Sequence, residues 1–272
     1  MPWGRRSTSM SSGIERLDRV FRDAGRPLFM PYVMGGYPDA ATSARYVRVL
    51  AEHADIIELG IPFSDPLADG PTIQAAGQTA LDAGTTPDDV LQIADGLNGG
   101  PPIVVMTYLN IVLAHGPRVF LERAAAAGVA GLVIPDLPID ESEEILAQAD
   151  RAGVALIPFA APTSSDERLR LIGRRARGFV YCVALTGVTG GSIEIDATLR
   201  DYLGRARAAI DAPLAVGFGV RTPADATAVG AIADGVIIGG QLVRMIAEAE
   251  SAEAAEAALD AFGRDVRAAL GA

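Results

Sequence analysis

Glu58-Leu-Gly-Ile-Pro-Phe-Ser-Asp65-Pro-Leu-Ala-Asp69-Gly-Pro-Thr-Ile-Gln74 carries three carboxylates among prolines and glycines, directly after an apolar run that begins at Ala54. The run from Ala54 to Ile61 reads as a buried strand. Side chains alternate along a strand, so Ile57, Leu59 and Ile61 share one face while Ile56, Glu58 and Gly60 share the other. If helices cover the aliphatic face, Glu58 points away from them. A glutamate projecting inward from the end of a strand is costly to hold unless it is used, because burial disfavours the ionised form. The alternative is that Asp65 and Asp69 only shape the turns around Pro66 and Gly70.

Outward from this stretch the chain alternates between strand and helix patterns. Ser12-Gly-Ile-Glu15 has capping-box spacing and opens a short helix with Ile14, Leu17, Val20 and Phe21 as its apolar stripe. Pro27 to Met34 reads as the first strand, ended by Gly35-Gly36-Tyr37-Pro38, with Asp39 capping a helix from Ala40 to Glu52. The acidic loop leads into helices Pro71 to Ala83 and Pro87 to Leu97, then strand Pro102 to Thr107, closing on Tyr108-Leu-Asn110. Helix Pro117 to Ala127, strand Gly131 to Pro135, Asp136, helix Glu141 to Ala152, strand Ala155 to Pro158 and helix Ser165 to Ala176 follow. Strand Phe179 to Val183, helix Ala197 to Ala209, strand Leu214 to Gly217, helix Pro223 to Gly230, strand Gly235 to Ile238 and a helical stretch from Gln241 complete the pattern.

Eight strands, each followed by helix and with no break in composition, predict a single (β/α)8 TIM barrel with an extra N-terminal helix. Residues 12–272 form the barrel in this reading, and residues 1–11, with Arg5 and Arg6 among Ser and Gly, form a flexible tail. An open doubly wound sheet is disfavoured because no Gly-x-Gly-x-x-Gly follows the first strand.

Composition narrows the chemistry. Every one of the 23 cationic side chains is arginine, which excludes a Schiff-base mechanism, an internal pyridoxal aldimine and a Walker-type phosphate loop. Cys182 is the single cysteine, and His53 and His115 are the two histidines, so the sequence offers no recognisable zinc ligand cluster. His53, beside a helix end, reads as a C-terminal cation of that helix. A net charge of −11 argues against general nucleic-acid binding, and no apolar run reaches membrane-span length. The cytoplasm is the expected location.

In a barrel the active site lies at the C-terminal ends of the strands. Glu58 and Asp69 follow strand two, Tyr108 and Asn110 strand three, Asp136 strand four, and Thr189 and Gly190 strand six. Tyr181 shares a strand face with Phe179 and Val183, which aims it either inward beside Glu58 or simply into the core. Gly217-Phe-Gly219 and Gly239-Gly240, after strands seven and eight, offer backbone amides that with Gly190 suit an anion, although as isolated glycines they would be ordinary turn residues.

The acidic stretch resembles, almost residue for residue, the signature of the tryptophan synthase alpha subunit. Pro31-Tyr-Val with Gly36-Tyr-Pro, Met106-Thr-Tyr-Leu-Asn110, Pro135-Asp-Leu-Pro138, Thr186-Gly-Val-Thr-Gly190 and Gly217-Phe-Gly-Val220 resemble further blocks of that family in the same order. The resemblance implies a lyase of tryptophan biosynthesis that cleaves indole-3-glycerol phosphate by retro-aldol chemistry to indole and glyceraldehyde 3-phosphate. It implies Glu58 as general acid/base and Asp69 as acceptor of the indole N–H, with Tyr32, Tyr181 and Thr189 lining the site. Gly190, Gly219, Gly239 and Gly240 would take the phosphate, and Asp65, Pro66 and Asn110 would face a beta partner. That partner would complete an alpha-beta-beta-alpha heterotetramer and carry the pyridoxal phosphate, with no cofactor in this chain. Leu185 departs from the arginine many family members carry, and Gly240 from their serine. A stand-alone lyase releasing free indole, or a non-catalytic activating subunit, are the alternatives.

Overall fold

The computed structural model describes residues 11–97, 99–184, 195–217 and 219–271. A parallel barrel stands at its centre, built from β1 (Leu28–Met34), β2 (Ile57–Gly60), β3 (Ile103–Met106), β4 (Val129–Val133), β5 (Ala155–Ile157), β6 (Phe159–Ala160), β7 (Val180–Val183), β8 (Leu214–Gly217) and β9 (Gly235–Ile238). The hydrogen-bonded order is β5-β4-β3-β2-β1-β9-β8-β7-β6. The nine segments occupy eight staves, because β5 and β6 are one passage of chain divided at Pro158. β5 pairs with β4 and β6 pairs with β7, so the ring closes through the break. Proline has no N–H to give a ladder, which is why the expected strand from Ala155 is split there. The Pro158 carbonyl still accepts the Tyr181 N–H at 2.9 Å.

The alternation expected for strand two holds around the whole ring. Phe29, Ile57, Leu59, Val105, Leu132, Leu156, Val180, Val216 and Val236 face outward into one core shared with the helices. Leu28, Met30, Ile56, Val104, Val133, Ile157, Phe179, Tyr181 and Ile237 fill the barrel interior. Both faces of these short strands are therefore apolar, as is usual for parallel sheets covered on both sides.

The N-terminal helix α1 (Gly13–Asp23) carries the complete Ser12/Glu15 capping box and closes the lower end of the barrel. Its Leu17 is fully buried in the interior cluster, and its Phe21 packs on Phe179 with ring centroids 5.6 Å apart. Around the ring run α2 (Ala40–Ala51), α3 (Pro71–Asp82), α4 (Pro87–Asp95), α5 (Leu109–His115), α6 (Pro117–Ala126), α7 (Glu143–Ala152), α8 (Asp166–Arg175), α9 (Ala197–Ala209) and α10 (Pro223–Gly230). The C-terminal stretch divides into α11 (Gly240–Glu248) and α12 (Ala252–Ala269), the second capped by Ser251.

Sequence reasoning missed α5. It is only seven residues long and its N-cap residue Tyr108 makes no side-chain cap. The cap comes from Asp136, whose carboxylate accepts the Leu109 N–H at 2.8 Å from 27 residues away. No window of local sequence contains that partner. Among the described residues, no helix is long and apolar enough to cross a membrane.

Candidate active site

Glu58 is the second residue of β2, level with Tyr32 on β1 and Val104 on β3. It is 2 % exposed, and neither carboxylate oxygen has a hydrogen-bond partner. Burial pushes its pKa up to about 8, and the nearby charge of Asp69 adds to the shift. Both effects penalise the ionised form, so the group is held largely neutral at physiological pH.

Asp69 sits in the loop after β2, where its backbone N–H closes a turn on the Pro66 carbonyl at 3.0 Å. Turn formation is thus part of its role, but its carboxyl reaches the Tyr108 hydroxyl. Burial raises the Asp69 pKa to about 6, and the bond from Tyr108 opposes that rise. The two acids consequently differ in proton affinity, Glu58 above neutrality and Asp69 below it. Two carboxyls pushed apart in this way can divide acid and base roles.

Tyrosines wall the acids. The hydroxyls of Tyr32 and Tyr181 are buried, and burial first, then the two acids, raises the pKa of each. Glycines make room for both rings: a Cβ on Gly60 would collide with the Tyr32 hydroxyl, and one on Gly217 with the Tyr181 hydroxyl. These positions need glycine for the close approach of the rings, independently of any turn. Tyr181 also packs against Phe159 with centroids 4.8 Å apart. The inward reading of Tyr181, and not a role confined to the core, agrees with its nearness to both acids.

Tyr108 is the residue whose role sequence reasoning missed. It is 3 % exposed, stacks on Phe63 at 5.1 Å, accepts the Ala68 N–H at 3.1 Å and bonds Asp69. A tyrosine at the C-terminal end of a barrel strand was the available signal. Its tie to the acidic loop, 40 residues away, was not.

Of the predicted phosphate ligands, Gly239 caps α11 and Gly240 opens it, while Gly219 holds a left-handed φ of 81°. Amides at the start of a helix favour an anion. No atom lies within 4 Å of a Cβ built on Gly240, so the departure from serine is sterically free. Thr189, Gly190 and Leu185 lie outside the described residues. Asp65 and Asn110 are exposed on the rim and Pro66 is half-buried. They stand beside the exposed apolar side chains Leu67 on the loop and Leu113 on α5, which are 84 % and 53 % accessible.

His53 stands directly after the C-cap residue Glu52 of α2, and its Nε2 pairs with Asp260 of α12 at 2.8 Å. Folding thereby assembles a trio that spacing could not reveal, Glu52, His53 and Asp260, with potential ligand atoms within 4.8 Å of one another. Arg264 already pairs with Asp260 there, which opposes a cation.

A family profile described as tryptophan synthase alpha chain matches residues 20–270. The alpha chain of Gloeobacter violaceus is 45 % identical over 245 residues, covering 88 % of this chain and 89 % of that one. That of Rippkaea orientalis is 41 % identical over 267 residues, covering 97 % and 98 %. Among solved structures, tryptophan synthase subunit alpha from Legionella pneumophila superposes with a TM-score of 0.87 at 32 % identity, covering 96 % of this chain and 99 % of that one. Tryptophan synthase from Mycobacterium tuberculosis gives a TM-score of 0.86 at 36 % identity over the same shares. Sequence, fold and inward acid pair agree, and the chain belongs to the tryptophan synthase alpha chain family, lyases that split indole-3-glycerol phosphate into indole and glyceraldehyde 3-phosphate.

Proposed function

We propose that Glu58 performs the proton transfers of this cleavage and that Asp69 stabilises the charge that develops on the indole ring. The observation that carries the reading is the buried, unpartnered carboxyl of Glu58, held neutral near pH 7 by burial. Breaking the bond between the ring carbon and the glycerol carbon needs a proton delivered to the ring carbon and another removed from the adjacent hydroxyl. A neutral Glu58 delivers the first and, once ionised, accepts the second. Protonation of the ring carbon makes the ring nitrogen electron-poor, and an ionised Asp69 accepting its N–H offsets that charge. Tyr32 and Tyr181 line the indole, joined by Thr189. Gly190, Gly219, Gly239 and Gly240 bind the phosphate through amides, which suits a chain whose net charge is −11.

Asp65, Pro66 and Asn110 form the docking surface for a beta subunit in an alpha-beta-beta-alpha assembly. The exposed Leu67 and Leu113 on the same loop and helix support this reading, since aliphatic groups on a rim favour burial. The pyridoxal phosphate belongs to that partner, and the cytoplasm is the location. The test is indole release by the purified chain with and without a beta subunit. Slow turnover that rises with the partner and disappears in Glu58→Gln is the expected result; fast turnover alone, unchanged by the partner, overturns the assembly.

A further inference from the structure

We propose that Glu52, His53 and Asp260 form a site for a divalent transition-metal ion of the zinc class, which fastens the end of α2 to α12. The three residues stand on the face of the barrel where the chain enters β2, opposite the acid pair. Their potential ligand atoms lie within 4.8 Å of one another, and the His53 Nε2 and Asp260 Oδ1 are 2.8 Å apart. Ligand atoms around a tetrahedral zinc ion with bonds of about 2.1 Å stand about 3.4 Å from each other, so the observed spacing brackets what the ion requires. Side-chain rotation closes the difference, because Glu52 is exposed and its carboxylate has no ion pair or hydrogen bond among the described residues.

Packing holds the other two ready. The His53 imidazole lies in the gap left by Gly263, one turn beyond Asp260 on α12, where a Cβ would come within 2.8 Å of the imidazole Cδ2. The bond from His53 comes first among the influences that keep the Asp260 carboxyl below its usual pKa, so this acid is ionised at neutral pH. Arg264, the cation that opposes a metal here, takes the other oxygen, Oδ2, and leaves Oδ1 to the site. Its side chain is 64 % exposed, so water and salt screen its charge. One imidazole nitrogen and two carboxylate oxygens suit zinc, cobalt(II) or nickel(II), with a water as fourth ligand. The ion takes the place of the proton between Nε2 and Oδ1, which leaves on binding. Residues on this face of a barrel bear on stability and not on chemistry, so the ion acts as a clamp between two helices.

Isothermal titration of the metal-free full-length chain with Zn²⁺ tests the site. The expected result is one ion per chain, with affinity reduced at least about tenfold in Glu52→Gln, His53→Gln and Asp260→Asn and unchanged in His115→Gln, the other histidine. Arg264→Gln should tighten binding by about tenfold, since it removes the competing charge. Affinity should fall as pH drops from about 8 to about 6, because the ion competes with a proton. Zn²⁺ should raise the melting temperature of the wild type and leave its turnover number unchanged. Glu52 is exposed, so its variant keeps the fold whatever happens to the His53 variant. Zinc that binds equally well in Glu52→Gln and His53→Gln overturns the proposal, as does the absence of binding at millimolar zinc. An Arg264→Gln variant that binds no more tightly than wild type also overturns it, by placing the ion away from Asp260.

Discussion

Asp55, just before β2, and Glu58, its second residue, stand three residues apart and meet opposite environments. Ahead of the strand, the Asp55 side chain is 11 % exposed and saturated with partners. Arg26 holds it through two bonds at 2.8 and 3.0 Å, Arg267 of α12 at 2.5 Å, and the Phe29 N–H donates at 2.8 Å. Burial alone would raise its pKa, but the bonds from Arg26, Phe29 and Arg267 together hold it below the usual carboxylate value. Glu58, within β2, is more deeply buried and has no such bond. One carboxylate ties the segment before β1, β1 itself and the last helix to the entry of β2; the other is left reactive. Ionised and paired is the signature of structure here, neutral and unpaired that of chemistry.

The largest effects should fall on the reactive side of this contrast. Glu58→Gln removes the proton carrier while keeping its shape, and kcat should drop by about 10³-fold or more, read as indole release in single-turnover assays. The same substitution should stabilise the fold at alkaline pH. The wild-type Glu58 binds its proton more tightly folded than unfolded, so stability is full below pH 4.5 and is lost as pH rises toward about 8. Melting scans at about pH 9 should put Glu58→Gln above wild type by a few kcal/mol, and the gap should close below pH 4.5.

Asp69→Asn should lower kcat by about 10²- to 10³-fold and leave substrate binding less affected, measured by steady-state kinetics. On the structural side, Asp55→Ala strands two guanidinium groups. It should cost about 3–5 kcal/mol in urea unfolding while the folded fraction keeps its turnover number. Tyr108→Phe gives the smallest expected change. It removes a bond that favours ionised Asp69 and leaves the Ala68 N–H without its acceptor. Activity should fall by about tenfold, and the acidic limb of the kcat/KM profile, near 6 in the wild type, should move upward.

The face of β2 on which each residue lies was legible in sequence because alternation is local: Ile56, Glu58 and Gly60 turn inward as their spacing requires. The barrel was legible for a similar reason, since each strand–helix unit carries its own periodicity and caps. What distinguishes Asp55 from Glu58 was not. Arg267 lies 212 residues from Asp55, and an absence of partners around Glu58 is a property of the closed ring. The Tyr108 link and the Asp136 cap of α5 escaped for the same physical reason, being contacts between neighbouring staves far apart in the chain. The split of the fifth stave could have been anticipated from Pro158 itself.

The most direct test is the protonation state of Glu58, followed by infrared difference spectroscopy between wild type and Glu58→Gln across pH, in the native and Asp69→Asn backgrounds. A neutral carboxyl band that persists at pH 7 and is lost near 8, and that titrates at lower pH once Asp69 is neutralised, is the predicted result. A carboxyl that ionises near 4.5 in both backgrounds would contradict the account, because burial without partners would then not be what sets its chemistry.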